Sequence, residues 1–203
     1  MPGRFFLTSD MAALAVDLGT KALDDEPPRA NIAPGQQIVT FTTTGLARMR
    51  WGIIPVGRVN ARGRPVMETL INARSETVFQ KSAYEGTGRA VVPVNGWYEW
   101  TGEKRRKTAW RIRPNDAEFL YFAAITDVWN GPGGVSVRQV AMVTCPPNAD
   151  VSVIHHRMAV VLEKADIFAW LEADPPNLIP LMRPWPEGRL SIEKADDVDW
   201  NGP

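Results

Sequence analysis

Alternation of apolar and polar positions dominates this chain. Residues 37–41 and 46–51 alternate around a Thr-Gly turn, which predicts a strand pair. Val91, Val92 and Val94 lead into Gly96-Trp97-Tyr98-Glu99-Trp100. β-Branched and aromatic residues of this kind favour a pleated strand. Residues 91–94, 97–101, 108–113, 119–125, 137–144 and 158–162 are further strand candidates. Helical spacing is rarer. Residues 8–23 put Leu14, Leu18 and Leu23 roughly on one face, with Thr8, Ser9 and Asp10 available as caps. Residues 72–84 open on a polar cluster, offer Ser75 as an N-cap, and continue with Val78, Phe79 and Ala83 at helical spacing. Residues 164–171 predict a short helix with Ile167, Phe168 and Leu171 inward. Residues 31–35 and 56–65 read as loops. From Asp174 prolines are dense, which predicts extended, irregular chain. The sum is an α+β fold: a mostly antiparallel sheet curled into a barrel-like core, with a few flanking helices.

Length fits a single domain over residues 1–203, its last part an irregular Pro-rich segment from about 174. Hydrophobic residues make up 44% and charged residues 23%, enough for an ordinary water-soluble core. No apolar run approaches the ~20 residues of a membrane span, and the apolar part of the N-terminus is too short for a signal peptide. A lone cysteine, Cys145, excludes an internal disulfide framework and points to a reducing cytoplasm. Net charge is zero but unevenly spread. Residues 1–113 hold 17 Lys+Arg against 10 Asp+Glu, and residues 114–203 hold 6 against 13. A positive first half predicts an anionic partner, unless folding interleaves the two halves.

Three polar clusters interrupt strand-like text: Asn72-Ala73-Arg74-Ser75-Glu76-Thr77, Glu99 within its aromatic run, and His155-His156-Arg157-Met158. A carboxylate among aromatics is costly to bury, and an apolar wall raises its pKa toward the range useful for proton transfer. The plainer explanation puts Glu99 on a solvent face. Asn72 at a helix start would offer free N–H groups, with Arg74 beside them for a phosphate. Arg74 could equally pair with Glu76. His155 is either an acid/base group, a ligand or an ordinary loop residue. Two adjacent histidines and one cysteine give none of the usual zinc spacings, so no metal and no cofactor are expected.

Together these clusters resemble the SRAP family, the SOS-response-associated peptidases. The anchors run in order: Gly3-Arg4, Asn31-Ile32-Ala33-Pro34, Arg50-Trp51-Gly52-Ile53-Ile54-Pro55, Asn72 to Thr77, Gly96 to Trp100, and His155 to Met158. The resemblance implies a DNA-damage response protein that binds abasic sites in single-stranded DNA and captures them covalently through its N-terminal residue. Peptidase and lyase activities are implied as well. It implies roles for Pro2 as the N-terminal residue, Asn72 in orienting it, Glu99 in moving protons and His155 in supporting the sugar oxygens. Gly3, Arg4, Pro34, Arg50, Arg58, Arg74 and Trp97 would contact DNA. A basic groove is expected from Arg4, Arg50 and Arg74 with some of Arg58, Arg62, Arg64, Arg105 and Arg106. A monomer is expected, cytoplasmic and gathered at the nucleoid when DNA is damaged.

The chain departs from the family at chemically important positions. The family exposes a cysteine at position 2 and closes a thiazolidine with its thiol. Here position 2 is Pro, which supplies a secondary amine only if Met1 is removed, and no thiol. Gly57 stands where the family has a tryptophan, and Ala159 where it has a proline. Two other readings follow. One is a divergent single-strand-binding module that keeps the fold without the chemistry. The other is a cysteine peptidase using Cys145 with His155 or His156, against which Cys145 would be a small core residue.

Overall fold

The computed structural model of the chain describes residues 2–54, 69–80, 84, 86–103 and 106–202. Residues 56–65 with Arg58, Arg62 and Arg64, together with Met1 and Arg105, lie outside the described residues.

Two sheets carry the fold. The first orders β13 (Leu190–Lys194), β8 (Thr108–Pro114), β7 (Gly96–Thr101), β1 (Arg4–Leu7) and β2 (Arg29–Ile32), antiparallel throughout. The second is built on β4 (Gly45–Trp51), β3 (Gln37–Thr42), β6 (Gly88–Val94), β9 (Leu120–Asn130) and β10 (Ser136–Cys145). Because β10 pairs with both β9 and β4, these five strands close into a ring. Closure satisfies backbone groups that an open sheet would leave at its edges. The short strands β5 (Asn72–Arg74), β11 (Met158–Ala159) and β12 (Val161–Leu162) pair onto β10 and β9. β10 runs parallel to β4 and β5; the other pairings of this sheet are antiparallel. The fold is thus α+β with curled, mainly antiparallel sheets, as its sequence pattern predicts.

Large aromatics stitch the sheets together. Phe5 of the first meets Trp51 of the second at 5.1 Å between ring centroids, and Trp97 meets Phe122 at 5.6 Å. Trp51 and Trp97 are fully buried. Burial of each such side chain stabilises by about 1.5–3 kcal/mol or more.

The helices are short. α1 (Met11–Leu18) is the expected first helix, trimmed at both ends. Asp10 caps it by accepting from the Ala12 N–H at 3.1 Å, and Gly19 ends it in the left-handed conformation at φ 62°. Thr8 and Ser9 do not cap; their N–H groups donate to Asn95 Oδ1. The remaining helices are α2 (Ala149–Ser152), α3 (Ile167–Glu172) and α4 (Pro175–Leu178).

Four expectations are corrected. The cluster at Asn72 opens no helix: it is β5, parallel to β10 and continued by the Ser75 N–H donating to Thr144 O at 2.8 Å, and residues 75–80 are turns. The loop reading of residues 31–35 misses β2, which pairs with β1. Phe168 is 54% exposed, and Trp170 fills the core beside Ile167 and Leu171 instead. A 3-10 turn at Lys164–Asp166 precedes α3 and changes the rotation of the face that follows. The segment after Asp174 contains α4, a 3-10 turn and β13, so it is more regular than its prolines predict.

Candidate active site

The site gathers residues from four distant stretches. β7 supplies the carboxylate. Trp97 and Glu99, two residues apart, share the strand face turned to the core. Glu99 is 3% exposed, and burial pushes its carboxyl pKa up. β1 pairs with β7 in the register Arg4↔Tyr98, Phe5↔Trp97, Phe6↔Gly96. Continued by one residue, that register brings Gly3 level with Glu99. The ladder therefore delivers the start of the chain to the carboxylate.

β5 supplies Asn72. Its parallel pairing sets Asn72 beside Met142. Asn72 Nδ2 donates to the carbonyl of Pro2 at 3.0 Å, and Pro2 is buried. Asn72 Oδ1 is buried with no hydrogen-bond partner among the described residues, which leaves an acceptor at the site for an incoming donor.

His155 arrives after α2. Asn148 caps that helix, accepting from the Val151 N–H at 3.0 Å, and the His155 N–H returns to Val151 O at 2.9 Å. His155 Nε2 lies 4.0 Å from Glu99 Oε2. His155 Nδ1 sits 3.0 Å from the Arg157 N–H and 3.1 Å from the Arg157 carbonyl. The neutral ring can accept from the first and the protonated ring can donate to the second, so the backbone accommodates both states. Burial pulls the His155 pKa down, and neighbouring His156, stacked at 4.4 Å, acts in the same direction.

Sequence reasoning passed over two residues of this site. Arg157 is a buried brace. It grips Glu76 through both carboxylate oxygens and also donates to the Thr144 carbonyl. That grip holds the Glu76 carboxyl down at about 2. It joins the turn after β5 to the loop bearing His155. The motif His155-His156-Arg157-Met158 contained the signal, since a buried arginine must pair. Trp110 is the second. It is the cross-strand partner of Glu99, half-buried, with Nε1 donating to Thr101 Oγ1 at 2.8 Å.

The expected DNA-contacting residues divide. Gly3 and Arg4 are half-buried beside the site, and Arg74 is exposed at the end of β5, two residues from Asn72. Glu76 is taken by Arg157, and Arg74 forms no ion pair among the described residues. Arg50 reaches toward exposed Gly35, next to half-buried Pro34, and donates to Gly52 O at 2.7 Å. Trp97 is a correction. It is fully buried against Phe122, so its faces are closed to a base. Cys145 is another. It is fully buried at the end of β10, and burial pushes its thiol up to about 12, which removes the thiolate a peptidase needs. Among the described residues no group of three or more His, Cys, Asp or Glu is placed to hold a metal ion. None of their helices is long and apolar enough to cross a membrane. A groove of about 730 Å³ between α1 and β9 lies elsewhere and shares no lining residue with the Asn72, Glu99 and His155 cluster.

Known proteins of similar sequence and fold place the chain in a family. The abasic site processing protein YoqW of Bacillus subtilis is 30% identical over 213 residues, covering 98% of this chain and 90% of that protein. The abasic site processing protein HMCES of Gallus gallus is 30% identical over 161 residues, covering 68% of this chain and 48% of that protein. An X-ray structure of a protein from Bacteroides thetaiotaomicron shares the fold with a TM-score of 0.84 at 18% identity, over 96% of this chain and 92% of that one. The family model of the SOS response associated peptidases matches residues 1–198, nearly the whole length, and the chain belongs to that family.

Proposed function

We propose that this protein processes abasic sites in single-stranded DNA, using the amine of residue 2 and the carboxyl of Glu99. The observation that carries the reading is the convergence of Pro2, Asn72, Glu99 and His155 from four segments, with Glu99 buried and 4.0 Å from His155. Relatives with similar sequences are named abasic site processing proteins.

An abasic sugar in its open form is an aldehyde. With Met1 removed, the Pro2 nitrogen is a secondary amine and attacks that carbon. The nitrogen gives its proton to the ionised Glu99, which passes it to the new oxygen to make a hydroxyl, and a second proton drawn from solvent lets that hydroxyl leave as water. Glu99 suits both transfers because burial brings its pKa closer to neutral. The product is an iminium cation, with no thiol to close a ring. The ionised Glu99 then removes a proton from the adjacent sugar carbon, the 3′ phosphate departs, and water hydrolyses the iminium. Asn72 fixes residue 2 through its carbonyl. His155 steadies the sugar oxygens. Arg74 holds a flanking phosphate, and Trp110 offers a base the stacking surface that buried Trp97 does not.

The test is a denaturing gel of abasic single-stranded DNA with protein whose N-terminus is defined by mass spectrometry. Met-free Pro2 protein should give an adduct only with borohydride, and Pro2→Cys should give a heat-stable adduct without it. Glu99→Gln should slow borohydride trapping by about 10²-fold or more. A heat-stable adduct from the Pro2 protein without reductant would overturn the iminium route. If neither protein forms an adduct, and abasic and intact strands bind equally, the chain is a binding module that has lost the chemistry.

A further inference from the structure

The outer face of the first sheet has the composition of a nucleic-acid platform, and the chain's own end lies on it. Strand alternation sets Tyr98 and Trp100 opposite in direction to Trp97 and Glu99. Cross-strand pairing then aligns Arg4, Tyr98, Arg111 and Glu193 in one row over β1, β7, β8 and β13. Phe6, Tyr98 and Trp100 form a small cluster separate from the main core. Aromatic rings flanked by arginines on an antiparallel sheet can stack bases and pair phosphates.

What covers this face imitates such a ligand. Residues 193–202 read Glu-Lys-Ala-Asp-Asp-Val-Asp-Trp-Asn-Gly, four acids against one lysine. Trp200 packs edge-on against Tyr98 at 5.0 Å and tilted against Trp100 at 5.3 Å. Asp197 accepts from Arg111 Nη2 at 2.7 Å, and Glu193 lies 3.5 Å from Arg113 Nη2. An indole takes the position of a base and the Asp197 carboxylate that of a phosphate, while Glu193 belongs to β13 itself. The end is anchored where Asn31 Nδ2 donates to the carbonyls of Gly202 at 2.9 Å and Asp199 at 3.3 Å. Asn31 Oδ1 stays buried with no partner among the described residues, a penalty that release of the tail would relieve. Trp200 also lies beyond the residues that the family model matches.

We propose that the outer face of this sheet is a second binding surface, for intact single-stranded nucleic acid, and that residues 195–202 occupy it until a strand displaces them. The surface is separate from the capture pocket, since Glu99 lies on the opposite face of β7. It needs no lesion, so its failure leaves the capture reaction untouched: trapping reads an aldehyde, and this binding reads an intact strand.

The experiment uses the full chain and a labelled lesion-free oligothymidine of about twelve nucleotides. Asp197→Ala with Trp200→Ala should tighten binding by about tenfold, because the competent state no longer competes with the tail. Adding Trp100→Ala and Arg111→Ala should abolish the gain. An unchanged affinity in the folded double variant overturns the proposal, as does a gain that survives the second pair of substitutions. Hydrogen exchange on the unsubstituted protein covers the case in which the variants fail to fold. Saturating oligonucleotide should speed exchange of amides in residues 195–202. Unchanged or slower exchange there overturns the proposal.

Discussion

At the scale of single residues, Glu99 decides the most. Its carboxyl is buried at the end of an aromatic strand, and burial raises its pKa above the ordinary 4.5. A raised carboxyl pKa means that the folded state holds its proton longer than the unfolded chain does. Stability is then lost as pH rises above the unfolded value, through the folded one. Each unit of upward displacement is worth about 1.4 kcal/mol. Glu99→Gln should therefore unfold at higher urea than the parent at pH 7 to 8 (about neutral), with the difference closing toward pH ~4. A variant that loses stability most at the alkaline end would show that ionised Glu99 is favoured by the fold. Glu76 has the opposite sign. Arg157 holds it at about 2, so its contribution is present above the ordinary value and is lost as pH falls through about 2. Much of the Glu76 side chain remains in solvent, which screens that pair.

At the scale of elements, Gly96 shows how β7 is allowed to carry its aromatics. A Cβ there would lie 2.3 Å from the Ile112 carbonyl oxygen and 2.5 Å from Phe6 Cζ. Gly96→Ala should cost about 1–3 kcal/mol in urea unfolding, because β1 and β8 must part to admit it. Undiminished stability would show that the strands yield freely. The same strand marks what was legible in sequence. β3, β4 and β6 to β10 announce themselves through alternation and β-branched runs, and Glu99 stands out as the one charge among aromatics. β5 does not. Its pairing with β10 joins residues about 70 positions apart, from Asn72 to Met142, and only the folded chain decides between strand and helix there. β1 hides for another reason. Phe5, Phe6 and Leu7 are all buried, one face by the core and the other by the C-terminal tail, so no alternation is left to read. The motif alone points Trp97 to DNA. Register places Trp97 and Trp110 on the same face of the first sheet, where Trp97 is closed against Phe122 while Trp110 stays half-buried, and only the folded packing makes that difference.

At the scale of the whole molecule, the excess of positive charge in residues 1–113 does not survive as one uniform patch. Arg111 pairs with Glu193 and Asp197, Arg113 with Glu193, and Arg29 and Arg48 with Glu26. Folding spends part of the asymmetry on contacts between the halves. Arg4, Arg50 and Arg74 form no ion pair among the described residues, and Arg4 and Arg74 belong to the strands that build the candidate site. These are among the arginines left to neutralise phosphates. On a single strand each such contact contributes about 0.7 to the slope of log affinity against log salt. Arg74→Ala should weaken binding of a single strand carrying a non-reactive abasic analogue and lower that slope by about 0.7 between about 50 and 200 mM salt. Arg48→Ala is the comparison, because Arg48 is already held by Glu26 and by the carbonyls of Asp24 and Asp25. It should leave the slope unchanged. Equal effects of the two substitutions would mean that the strand senses total charge and not the arrangement of arginines around the site.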